Sequence, residues 1–174
     1  KVIKRSVDAR DKSKIKFVLS IDVSLVDEKS VFNRFKKSGF IKNVSEKKYK
    51  YIAKAANQFP RLENERPVII GAGPCGYFAA LLLAQMGFKP LLLERGESVK
   101  DRSIQSYGFW SRRCKLGVDS NVQFGEGGAG TFSDGKLYSQ ITDPDNYRRK
   151  VLEEFVQSGA SKEILINNRP HIGT

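Results

Sequence analysis

VIIGAGPCGYFAALLLAQMGFKPLLLERG, residues 68–96, places two short apolar runs on either side of a helical pattern. Val68-Ile69-Ile70 reads as a buried strand that ends in glycine. Gly76 to Met86 reads as a helix that Gly87 stops, and Leu91-Leu92-Leu93 as a second buried strand. The turn between strand and helix, Gly71-Ala72-Gly73-Pro74-Cys75-Gly76, fits G-x-G-x-x-G in the context that gives this pattern its meaning. Gly71 permits a tight exit from the strand. Gly73, with no Cβ, lets backbone approach a pyrophosphate, and Gly76 lets the helix pack close to the strands. The helix N-terminus offers free N–H groups and partial positive charge to phosphates. Pro74 and Cys75 occupy the same turn, where a small residue at a crowded position is the ordinary explanation of the cysteine.

Glu94 follows the second strand, 23 residues after Gly71, close to the roughly 20-residue spacing at which an acid receives the hydroxyls of an adenosine ribose. A carboxylate there repels a 2′-phosphate, which argues for a cofactor without one. Arg95 beside it weakens that discrimination. The unit is therefore expected to bind the ADP half of a dinucleotide.

A second glycine-dense stretch lies at Phe124–Lys136, with Gly125, Gly127, Gly128, Gly130 and Gly135. So many glycines suit neither helix nor strand, and fit a loop whose backbone approaches a flat ligand or its phosphates. Thr131 and Ser133 are candidate hydroxyl donors there, Lys136 a candidate charge, and Arg102 a candidate pyrophosphate or ribose contact. No metal-ligand cluster, Walker lysine or nucleophile elbow is visible. His171, the single histidine, lies near the end of the chain, and no residue is nominated as a general acid or base.

Residues 68–96 resemble the FAD-binding opening of the two-dinucleotide-binding flavoproteins. The fuller likeness is to a family of largely uncharacterised bacterial and plastid FAD-dependent dehydrogenases. Residues 6–25 (SVDARDKSKIKFVLSIDVSL), 94–102 (ERGESVKDR) and 121–141 (NVQFGEGGAGTFSDGKLYSQI) also carry it. The resemblance covers essentially the whole chain. It implies an α/β fold: a small basic α/β domain over residues 1–62, a linker over 63–67, and the N-terminal part of a Rossmann-like FAD/NAD(P)-binding domain over 68–174. It also implies an FAD-dependent oxidoreductase of unknown small-molecule substrate, with NAD(P)H as an electron donor or acceptor. Gly127, Gly128, Gly130 and Thr131 would then lie along FAD. The family's chains run further, so truncation is expected, and the flavin site would be closed by sequence not present here.

Outside this unit, Ile15–Leu25, Phe40–Val44, Lys47–Ile52 and Ile164–Ile166 read as strands. Ser30–Lys37, Ser103–Cys114 and Asp145–Ser158 read as helices, the first stopped by Gly39. The chain carries a formal net charge of +12. Residues 1–66 hold 18 Lys and Arg against 8 Asp and Glu, so the basic character is concentrated there. Such asymmetry marks either an anion-binding surface or a solvated lysine-rich face. Lysines interleaved with Phe17, Phe32, Phe35, Phe40, Tyr49 and Tyr51 keep an alternative open, a nucleic-acid-binding module in residues 1–60. A second alternative exchanges FAD for NAD at the same turn. The longest apolar stretch, Phe78–Met86, is too short to span a bilayer, which takes about 20 apolar residues, so no membrane association is expected. Two cysteines, Cys75 and Cys114, give no disulfide framework, and the expected compartment is the cytoplasm.

Overall fold

The computed structural model describes residues 1–44 and 48–173. It is a mixed α/β structure with two small sheets. In chain order the elements are β1 (Val2–Asp8), β2 (Lys16–Ile21), α1 (Glu28–Phe35), β3 (Val68–Ile70), α2 (Pro74–Gln85), β4 (Leu91–Leu93), α3 (Val99–Trp110) and α4 (Tyr147–Gln157), with short 3₁₀ turns between them. The chain divides into two compact units, Lys1–Tyr49 with Gly135–Thr174, and Lys50–Asp134. That division differs from the expected boundaries at residues 62 and 67.

In the first unit, β1 and β2 form an antiparallel hairpin with Arg5 opposite Leu19 and Asp8 opposite Lys16. Asp8 and Asp11 bind Arg10 and Ser13 and shape the connecting loop. Residues 135–173 join this unit through a backbone bridge. Arg5 N–H donates to Ile166 O at 2.7 Å, and Asn168 N–H donates to Arg5 O at 2.9 Å. The Arg5 guanidinium adds bonds to Asn167 Oδ1 and Glu163. Leu152 on α4 and Ile164 supply the buried apolar contacts.

Ile164–Ile166 is not a strand: Lys162–Leu165 is a 3₁₀ turn that the Ser161 hydroxyl caps. Three apolar residues fit a buried turn as well as a strand, and the residue that actually bridges to β1 is Asn167. Phe40–Val44 contains no strand. Of the expected strand Lys47–Ile52, Lys47 lies outside the described residues and 48–52 is irregular. The helix expected at Ser103–Cys114 begins earlier, at Val99, where the Ser98 hydroxyl accepts from Asp101 N–H as an N-cap.

In the second unit, β3 and β4 pair in parallel, Val68 beside Leu91 and Ile70 beside Leu93. The ladder continues into the turn, where Gly71 N–H donates to Leu93 O at 2.7 Å. Parallel neighbours need a crossover, and α2 supplies it. Ile69 and Leu92 turn toward the covered face and are half-buried, whereas Val68, Ile70, Leu91 and Leu93 are exposed. The expected linker is bound to this unit: Arg66 donates to the carbonyls of Lys89 and Pro90. Further upstream, Ala55 N–H donates to Met86 O at 2.8 Å, and Tyr51 OH to Gln85.

A candidate dinucleotide-binding turn

The turn out of β3 is built by glycine stereochemistry. Gly71 has φ +98°, a conformation costly for a side chain. A Cβ on Gly76 would stand 1.9 Å from Gly71 O, so only glycine lets α2 approach the strand this closely. Gly73 differs from both. Its φ of −76° suits any residue, and a Cβ there would meet no heavy atom within 4 Å. Among the described residues, nothing in the packing requires a glycine at Gly73. Pro74 is the first residue of α2, where its missing N–H costs nothing. Gly73 is the N-cap and makes no side-chain capping bond, so no side chain of the cap occupies the N–H groups of this helix end. Cys75 is exposed in the same first turn.

Glu94 is drawn into the turn. Its Oε2 accepts from Ala72 N–H at 2.6 Å and its Oε1 from Gly96 N–H at 2.8 Å. These backbone bonds, Ala72 first, hold the carboxyl below the ordinary carboxylate range, and the Arg102 charge adds to them. The backbone N–H groups of Ala72, Gly96 and Arg95 all bond to this carboxylate, and with about four lone-pair sites in all it keeps acceptor capacity to offer. Ala72 works in both directions, because its carbonyl accepts from Gly127 N–H at 2.8 Å.

That bond brings the second glycine stretch onto the first. A Cβ on Gly128 would lie 3.2 Å from Pro74 Cδ and 3.4 Å from Gly73 Cα, and one on Gly130 would lie 3.8 Å from Pro74 Cγ. Residues 128–132 form a 3₁₀ turn with Gly127 as a left-handed N-cap. Gly71, Gly73, Pro74, Cys75, Gly76, Glu94, Gly127, Gly128 and Gly130 thus share one locality. Gly135 and Lys136 belong to the first unit, where Lys136 bridges to His171.

Arg102 and Thr131 face inward, and the expected role of Arg102 as a pyrophosphate or ribose contact is corrected. Arg102 is 0% exposed. It donates to the carbonyls of Asn121 at 2.6 Å, Glu126 at 2.6 Å and Val122 at 2.8 Å, and to Thr131 Oγ1 at 3.1 Å. Four of its five N–H groups are thereby used inside the protein, and the guanidinium lies 4.9 Å from the centroid of the Phe132 ring. Burial lowers its pKa from the ordinary arginine value. Arg95 forms an exposed pair with Asp119 at 3.0 Å, an arrangement of little energetic weight.

Sequence reasoning passed over Tyr77 and Glu126. Glu126 accepts from the Tyr77 hydroxyl and from Val99 N–H, the latter at 2.6 Å at the start of α3. It therefore ties α2, α3 and the glycine loop together, with the carboxylate at a favourable helix end. The Tyr77 bond, then the Val99 bond, lower the Glu126 pKa. The same bond raises the Tyr77 phenol to about 12. The one available signal was an acid set among five glycines, which a bare flexible loop does not need.

Among the described residues no group of three or more His, Cys, Asp or Glu is arranged to hold a metal. No described helix is long and apolar enough to cross a membrane. In the first unit, a cavity of about 440 Å³ is bordered by Lys4, Arg148, Arg149, Arg169 and Asp143.

No family model matches the chain. A Clostridium beijerinckii protein described as uncharacterized is 42% identical to it over 173 residues, which is 99% of this chain and 31% of that protein. The chain thus spans about a third of the length of the curated relative it matches.

Proposed function

We propose that the second unit supplies the ADP-binding part of an FAD site in an oxidoreductase, through a Rossmann-like β–α–β unit. One observation carries the reading: of the three motif glycines, Gly71 and Gly76 are demanded by the fold, and Gly73 by nothing within it. A glycine whose lost Cβ would fill open space beside a helix N-terminus suits close approach of a phosphate to backbone. The donor chemistry fits as well. The start of α2 offers backbone N–H groups, and Glu94, kept ionised by Ala72 and Gly96, retains acceptor capacity for ribose hydroxyls. Gly128 brings further glycine backbone beside Gly73, and Gly127 N–H bonds to Ala72 O. Bound flavin would supply hydride or electron acceptance, while these residues would hold and orient its ADP portion.

FAD is preferred to NAD because of the second glycine segment and the flavoprotein resemblance. The intact protein, with the sequence expected to close the flavin site, should show flavin absorption bands when purified or acquire them with added FAD. Absence of both in that protein would overturn the reading.

A second reading concerns the first unit, where Phe17 is 71% and Phe40 94% exposed among lysines. Exposed rings beside cations suit stacking on single-stranded nucleic acid. A salt-dependent mobility shift with single-stranded RNA is expected on that reading, and no shift at low salt would end it.

A further inference from the structure

We propose that the second unit holds a separate pocket for a small planar aromatic molecule carrying hydrogen-bonding groups, set between α3 and residues 116–124. A cavity of about 430 Å³ lies there, within the usual size range of small-molecule sites. Its walls include Phe109, Trp110, Leu116 and Phe124, with Phe109 and Trp110 edge to face at 5.5 Å. Three polar side chains also border it: Gln105, Ser106 and Ser120. Gln105 Oε1, Ser106 Oγ and Ser120 Oγ are all buried with no hydrogen-bond partner among the described residues. Ser106 is 4% and Ser120 7% exposed.

A buried hydroxyl without a partner costs free energy that an alanine would avoid. Two of them at one apolar cavity, with an amide oxygen beside them, form the pattern of a site that is apolar in its walls and polar at a few points. The rim is preformed. Asn121 Oδ1 accepts from Gln123 N–H at 2.8 Å and Phe124 N–H at 3.2 Å, and its amide donates to Gly117 O at 2.7 Å. Arg102, one helical turn before Ser106, holds the Asn121 and Val122 carbonyls from behind. The aromatic walls select a flat ring, and the hydroxyls and amide oxygen select a ligand with both a donor and an acceptor. The pocket does not depend on a dinucleotide at the glycine turn.

The test uses 4-hydroxybenzamide as the probe and toluene as the ring without polar groups, followed by amide and indole NMR shifts of the chain. The probe is expected to shift Ser106, Ser120 and the Trp110 indole N–H, and to bind about fivefold more tightly than toluene, the worth of one neutral hydrogen bond. The Ser106→Ala/Ser120→Ala variant, which keeps only the Gln105 amide oxygen, should narrow that gap while its melting temperature holds or rises. Gly73→Ala should leave probe binding unchanged. The proposal is overturned by absent shifts at these residues, by equal binding of probe and toluene, or by a gap that the double substitution leaves unchanged. A lower melting temperature in the double variant would mean the hydroxyls have partners, and would overturn it too.

Discussion

A Cβ placed on Gly73 meets no atom within 4 Å, whereas one placed on Gly127 lies 2.0 Å from Thr131 Oγ1 and one on Gly125 lies 2.7 Å from Arg102 Cδ. Both segments look alike in sequence, but their glycines answer different demands. In the first, Gly71 and Gly76 form the turn and Gly73 leaves backbone open to the outside. In the second, glycine makes room for the protein's own Arg102 and Thr131. The loop that reads as ligand-facing is half a structural device, wrapped around a buried guanidinium that fixes its shape. The lesson is that a glycine's partner, inside or outside the chain, decides what it is for.

The largest break in this comparison should come from Arg102→Ala. It strips the carbonyls of Asn121, Val122 and Glu126 of their donor, and should cost roughly 3–5 kcal/mol, read as a fall in the denaturation midpoint. Arg102→Lys should rescue only part, because an ammonium cannot reproduce the planar fork. Gly76→Ala should come next, at about 3 kcal/mol, since the clash is with the backbone oxygen of Gly71 and cannot be relieved by a rotamer change. Gly73→Ala should sharpen the contrast: a stability change within about 0.5 kcal/mol, yet FAD affinity down at least about tenfold, measured by titration. A variant at Gly73 that unfolds the protein, or one that binds FAD normally, would erase the distinction between the two segments.

The smallest expected effects are those of pH. Glu94 and Glu126 have lowered pKa values, so their contribution is present above the ordinary carboxylate range and is lost as pH falls through the lowered values. Glu126→Gln should therefore destabilise less in acid than near neutrality. The Tyr77 phenol is raised to about 12, so its contribution is full below the ordinary tyrosine pKa and fades as pH rises through that value. Tyr77→Phe should flatten the alkaline limb of a melting-temperature profile. Identical acid and alkaline limbs in these variants and the parent chain would remove Glu126 and Tyr77 from the structural account.

The β3–α2–β4 unit was legible because its information is local. Apolar runs, a glycine-proline turn and an acid after the second strand all act over a few residues. Arg102 was not legible as a buried hub, because its acceptors are backbone carbonyls 19 to 24 residues away, and a carbonyl carries no sequence signature. β1 was missed because Lys4, Arg5, Ser6 and Asp8 interrupt its apolar residues, and its bridge to Asn167 spans nearly the whole chain. Ile164–Ile166 misled because a short apolar run does not distinguish a strand from a buried 3₁₀ turn. The unpartnered hydroxyls beside Trp110 had no signal at all, since serine is ordinarily a surface residue.

The most direct measurement is an amide NMR titration of the isotopically labelled protein with FAD, ADP and riboflavin in parallel. The account predicts saturable shifts at Gly73, Cys75 and Gly76 and at Ala72 and Gly96, whose N–H groups bond to Glu94. FAD and ADP should both produce them, riboflavin should not, and Gly73→Ala should weaken them at unchanged stability. Shifts elsewhere in the chain with none at these five amides, or equal shifts with riboflavin, would contradict it.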